Sequence, residues 1–131
     1  MPRVNGTLPD SYGLSLSVYV STASEANPIE QGDVLSWSAT GNYTAVPAAD
    51  GAEVDLVAKH PVSDPLTPLG VYVYGFSRVE RLTYSGTAPG LGTSVVANGT
   101  GGVRAATAGV DNGSRVVYVD TTRSYVEVLL P

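Results

Sequence analysis

The chain has 131 residues, of which 15% are charged, with a net charge of -5 at neutral pH and no cysteine. That length accounts for one domain, the missing thiols exclude disulfides, thiol catalysis, thiolate-bound zinc and iron-sulfur clusters, and the acidic balance opposes general attraction to nucleic acid, which needs a positive field facing the phosphates. No run of about 18 apolar residues is present, and Met1 to Gly6 lacks the charged-then-apolar order of a secretory signal, so the chain is expected to enter no membrane by itself.

Residues 1-12 are polar, carry Pro2, Gly6 and Pro9, and show no period, which predicts an extended N-terminal arm ahead of a single β domain over residues 13-131. Leu14 to Ser21 alternates apolar with polar residues, the pattern of a strand with one buried face. Thr22 to Gln31 breaks the pattern and predicts a loop, after which Gly32-Asp33 turns into a strand over Val34 to Ser38. Trp37 is the single tryptophan; without companion aromatics beside it, the expectation is a core or rim anchor rather than a sugar platform. Gly41-Asn42 and Ala49-Asp50-Gly51 mark turns on either side of a short strand, Tyr43 to Pro47, and alternation resumes from Glu53 to Ala58. The proline-dense segment Pro61 to Pro68 is a stiff connection that belongs in no central strand.

Three runs follow, Gly70 to Gly75, Arg78 to Tyr84 and Gly90 to Ala105, rich in Val, Tyr, Leu and Thr and punctuated by glycine, as expected of tightly connected antiparallel strands. In the last run Gly90 and Gly92 bracket a turn, Asn98-Gly99 predicts a primed hairpin turn, and Val103 begins the return strand. In the first, Val71 and Val73 alternate with Tyr72 and Tyr74, so the strand is either sandwiched between two layers or turns its tyrosines towards a partner. Ala106 to Gly113 is a small-residue loop, and Arg115 to Val119 and Tyr125 to Leu130 are the last strands, joined through Asp120-Thr121-Thr122. About eight to ten short strands and no helix give an all-β chain, a small β-barrel or β-sandwich of short antiparallel strands.

The search for chemistry returns little. His60 is the one histidine, no Gly-x-Ser-x-Gly elbow accompanies it, and a solvated loop histidine beside Pro61 is expected rather than a catalytic one. Asp50, Glu53 and Asp55 lie close together but lack the spacing of a calcium loop or a second carboxylate cluster, which predicts a solvated edge face. Asn5-Gly6-Thr7, Asn42-Tyr43-Thr44, Asn98-Gly99-Thr100 and Asn112-Gly113-Ser114 match the glycosylation acceptor pattern, and turn formation explains them equally well. Lys59 is the only lysine and the arginines are scattered along the chain rather than clustered. An acidic, lysine-poor surface suits a high-salt environment; a high-GC coding bias explains the same composition. No catalytic residue, metal or cofactor is expected.

Asp55 to Ala58, Pro65 to Val71, Gly90 to Val95, Gly99 to Val103 and the ending Val126 to Leu130 together resemble the capsid cement, or head decoration, proteins of tailed double-stranded DNA viruses. The resemblance covers residues 30-131, and the acidic bias fits a virus of a salt-loving archaeal host. It implies a non-enzymatic structural protein that trimerises, binds the major capsid protein on the outer surface of the head, and contacts neither nucleic acid nor membrane. In that picture the arm residues Pro2, Arg3, Val4, Asn5, Gly6, Thr7 and Leu8 bind the capsid by strand addition, and Tyr72, Tyr74 and Phe76 form the contact between copies. A carbohydrate- or receptor-binding module of a spike or tail, stacking ligands on Trp37 and the tyrosines, is the alternative from another class.

Overall fold

The computed structural model describes residues 15–73 and 79–129, and among these residues the chain is all-β, with ten strands and no helix. In chain order they are β1 Ser15–Val20, β2 Val34–Trp37, β3 Thr44–Pro47, β4 Leu56–Ala58, β5 Leu69–Val73, β6 Val79–Thr83, β7 Val95–Ala97, β8 Val103–Ala105, β9 Arg115–Asp120 and β10 Tyr125–Leu129. The first five close into a barrel in the order β1-β3-β2-β4-β5, β6-β10-β9 make a three-stranded sheet, and β7-β8 make a hairpin. The predicted arm falls outside the described residues.

Period-two alternation decides which side chains fill the barrel. Val18 and Val20 of β1, Leu35 of β2, Ala45 of β3, Leu56 and Ala58 of β4, and Leu69 and Val71 of β5 point inward and are joined by Ala23, Ile29 and Val62 from the loops. The intervening residues Val34 and Val57 point outward into a second core, which they share with Leu82, Val95, Ala97, Val103, Val116, Val126 and Val128 of the two outer sheets. Register shows the division strand by strand: Leu35 pairs with Leu56 and Leu56 with Val73 on the inner face, while Val34 pairs with Val57 and Val57 with Tyr72 on the outer face. This places Tyr72 towards a second layer, the sandwiched arrangement.

Three details depart from expectation. β1 and β3 are parallel, with Tyr19 opposite Thr44 and Val20 opposite Ala45, so the strands are not all antiparallel. A parallel pair needs a crossover connection, and the segment holding β2 supplies it before β3 returns beside β1. Strand β4 is shorter than the alternation predicted: Glu53 to Asp55 lie outside the strand, although the Asp55 N–H still donates to the Leu35 carbonyl at 3.0 Å. The hairpin of β7 and β8 pairs Ala97 with Val103, which leaves a five-residue loop, Asn98 to Gly102, in place of a primed turn. Its cause is the Asn98 side chain: Oδ1 accepts the Thr100 and Gly102 N–H groups at 2.8 and 3.2 Å and the Thr100 hydroxyl at 2.9 Å, so the asparagine organises its own loop.

That loop is wedged between the start of β2 and the end of β6. The Gly101 carbonyl accepts the Val34 N–H at 3.1 Å. A side-chain Cβ at Gly101 would stand 2.6 Å from the Asp33 carboxylate, and one at Gly102 would run into the Thr83 carbonyl oxygen. Two consecutive glycines are therefore required by close approach as well as by the +94° φ of Gly101.

Two substitutions test this construction by urea denaturation. Leu56→Ala removes a fully buried side chain from the barrel and is expected to cost about 2–5 kcal/mol. Gly102→Ala, though it adds one methyl group, is expected to cost about 1–3 kcal/mol because the added carbon meets backbone that cannot swing away; a midpoint equal to the parent's would refute the close approach.

Candidate functional site

Of the residues assigned to contacts between copies, Tyr72 is described, whereas Tyr74 and Phe76, like the capsid-binding residues Pro2 to Leu8, lie outside the described residues. Tyr72 leaves the outer face of β5, packs partly against the second core, and carries the Lys59 ammonium 4.5 Å above its ring. It also forms one wall of a cleft of 430 Å³ between the barrel and the three-stranded sheet.

Lys59 and Tyr72 line the cleft on the barrel side, and Glu80, Arg81, Arg123 and Tyr125 line it on the sheet side. The Arg81 guanidinium lies 4.3 Å from the centre of the Tyr125 ring, whose other neighbour is the Tyr118 ring at 6.0 Å. The Lys59–Tyr72 and Arg81–Tyr125 pairings are cation–π contacts that hold a flexible cationic side chain in place while leaving its N–H donors available. Five Lys and Arg residues are described. Arg104 is held by Asp50 at 2.7 Å and Arg115 by Asp111 at 2.7 Å. The remaining three line this cleft, and none of them forms an ion pair with a carboxylate among the described residues. The cations are scattered in sequence, and the fold gathers them.

The other candidates have structural duties. His60 Nε2 accepts the Gly70 N–H at 3.0 Å and Nδ1 faces the Pro61 carbonyl at 3.1 Å, so the exposed ring is tied at both nitrogens and fastens the proline-rich loop to β5. Asp50, Glu53 and Asp55 do not form the expected solvated edge face. They diverge: Asp50 binds Arg104, Glu53 accepts from the Asn112 amide at 2.9 Å, and Asp55 accepts the Trp37 N–H at 3.0 Å. Because Glu53 to Asp55 lie outside any strand, alternation does not govern where their side chains point. Among the described residues no group of three or more potential metal ligands occurs, and none of them forms a helix long and apolar enough to cross a membrane.

Trp37 ends β2 two residues after Leu35, on the face turned to the barrel interior, and is 43% exposed, which makes it an anchor at the barrel rim. The fold brings the backbones of Tyr19 and Tyr43 to the same end of β3, where Tyr19 donates its N–H to the Tyr43 carbonyl and Ser38 donates to the Thr44 carbonyl. Tyr19 nevertheless alternates with Val18 and Val20 and so points away from the barrel interior, opposite to Trp37. Of the four acceptor-like asparagines, Asn98 organises its hairpin loop, and the Asn112 amide donates to Glu53 and to the Val95 carbonyl. Asn42 stands in an exposed turn, and Asn5 is outside the described residues.

Around Asn112, both guanidinium nitrogens of Arg115 meet both carboxylate oxygens of Asp111 at 2.7 Å. The Gly113 N–H adds a bond to Asp111 at 2.9 Å, and the Ser94 hydroxyl reaches Asp111 at 3.4 Å. These contacts, led by the hydrogen bond from Arg115, hold the Asp111 carboxyl well below its ordinary range.

No protein-family model matches the sequence, and no curated protein is significantly similar to it. Among solved structures the chain is similar to the N base of the head fiber protein gp8.5 of bacteriophage phi29, with a TM-score of 0.68 and 13% identity over 92% of this chain and 95% of that one. The two share a fold along almost their whole lengths.

The Asp111–Arg115 pair generates a pH prediction. A carboxyl depressed in the folded state adds stability above its unfolded value of about 3.8, and that contribution is lost as pH falls through the lower folded value. Asp111→Asn should therefore lower the melting temperature at pH 7, and the gap from the parent should narrow steadily below about pH 4. A gap independent of pH would show that charge on Asp111 is not what secures the loop.

Proposed function

We propose that this protein is a non-catalytic structural component of a tailed virus particle, a decoration protein held on the outer surface of the head by the major capsid protein. The observation that carries the reading is the fold it shares, across nearly all of both chains, with the base of the phi29 head fiber. Consistent with it are the two apolar cores, which leave a rigid body, and the resemblance of the strand and glycine pattern to cement proteins. An acidic surface keeps such a protein dispersed before assembly and suits a virus of a salt-loving host.

In this reading the segment Pro2 to Leu8 adds a strand to an exposed edge of the capsid protein, where backbone hydrogen bonds supply affinity with little demand on side chains. Tyr74 and Phe76 contact neighbouring copies in a homotrimer, whereas Tyr72, packed on the second core and facing the cleft, is withdrawn from that contact. Repetition over a shell converts weak single contacts into stable occupancy, because each additional site engaged by a trimer is an intramolecular event. A receptor- or glycan-binding module is the second reading, and the exposure of Trp37 at 43% and Tyr43 at 63% near one end of β3 is what favours it.

Deleting residues 2–8 should abolish co-sedimentation with shells assembled from the major capsid protein of the same virus, while analytical ultracentrifugation still reports a trimer. Undiminished occupancy of the shell would refute the role of the arm, and a monomer in the parent protein would refute the trimer.

A further inference from the structure

We propose that the cleft between the barrel and the three-stranded sheet binds a compact acidic sugar, one ring carrying a carboxylate or a phosphate, through Lys59, Arg81 and Arg123. The proposal stands apart from the virion reading and needs no partner protein.

Charge is the first reason. In a chain of net charge -5, three cations without a carboxylate partner among the described residues converge on one cavity that holds a single carboxylate, Glu80, which is buried in β6. Asp120, three residues before Arg123, is occupied by its own turn: its Oδ1 accepts the Thr122 and Arg123 N–H groups at 3.0 and 2.9 Å. Like charges gathered at one place repel one another, and an oxyanion between them removes that repulsion. The cleft differs here from the loop cavity of 290 Å³ beside Asp111, where Arg115 is already neutralised by two short bonds.

Geometry is the second reason. Lys59 and Arg81 rest on the rings of Tyr72 and Tyr125 at 4.5 and 4.3 Å, so less rotamer freedom remains to be lost when an anion arrives. On the barrel side the backbone is already paired: Gly32 N–H with the Ala58 carbonyl, Ala58 N–H with Asp33, and Lys59 N–H with Gly70, at 2.9 Å each. That wall therefore offers side chains and aromatic surface instead of backbone for a peptide strand. Cationic tips held on tyrosine rings, with the neutral polar side chains of Gln31 and Thr83 beside them in a volume of 430 Å³, match a sugar ring that presents an acid to the cations and hydroxyls to the polar wall.

Isothermal titration calorimetry of the full chain in low salt, with D-glucuronate, glucose 6-phosphate, D-glucose, inorganic phosphate and pentaglutamate as separate titrants, tests this. Glucuronate or glucose 6-phosphate should bind, glucose should not, and the stronger of the two identifies the acid the cleft prefers. Arg81→Gln and Arg123→Gln should each weaken that binding about tenfold or more, and 0.5 M salt should weaken it further. Arg123 sits in an exposed turn between β9 and β10, so its replacement leaves the cores intact, with circular dichroism as the control. Equal binding of glucose, binding of phosphate as tight as that of glucose 6-phosphate, pentaglutamate bound in preference to both acidic sugars, indifference to both arginine replacements, or no heat from any titrant would each overturn the proposal.

Discussion

Everything in the molecule leans on one wall. Strands β2 and β4 have no solvent-facing side over the residues that pair: Leu35 and Leu56 fill the barrel while Val34 and Val57, one residue along, fill the second core. A strand buried on both faces cannot slip by one residue without exchanging its two sets of side chains, and neither core would accept the other's shapes. The wall thus sets the register of β5 on one side and β3 on the other, and fixes where the two outer sheets dock. The glycine pair at 101 and 102 lets a hairpin loop reach this junction, next to Asp33 at the start of β2 and Thr83 at the end of β6.

Much of this was legible along the chain, and the reasons differ by element. Ser15–Val20 announced itself because a single buried face produces clean alternation; Gly32, Gly51, Gly92 and Gly99 marked turns because few other residues adopt their positive φ, and Asn98 marked its loop through side-chain hydrogen bonds. Strand β4 was harder. Leu56-Val57-Ala58 is apolar throughout, so the alternation in Glu53 to Ala58 spans residues outside the strand, and the one face it predicts for the carboxylates gives way to three different partners. Barrel closure and the parallel pairing of β1 with β3 could not be read locally, because they depend on which strand edges meet after the chain has crossed over.

The cationic cleft was illegible for a related reason. Lys59, Arg81 and Arg123 belong to a strand end, a sheet edge and a turn, and no spacing connects them. What the sequence did contain was a scarcity: few positive charges, with a surplus of carboxylates available to neutralise each one. In such a chain a cation with no acidic partner among the described residues stands out, because carboxylates outnumber cations. Arg104 and Arg115 follow the common pattern and found carboxylates at 2.7 Å; the three in the cleft rest against aromatic rings or line open space.

A fold shared at 13% identity separates what packing demands from what chemistry demands. Cores accept many combinations of apolar side chains provided that volume and alternation are kept, so two sequences can diverge almost completely and still raise the same wall between the same two cores. Charged side chains at a cavity mouth are under no such constraint. The likeness therefore bears on the body of the molecule, the rigid β scaffold from which a particle-bound role is argued, and is silent about the three cations. Those have to be explained from their own surroundings, and the proposed place on a particle and the proposed ligand in the cleft are argued from separate observations on one scaffold.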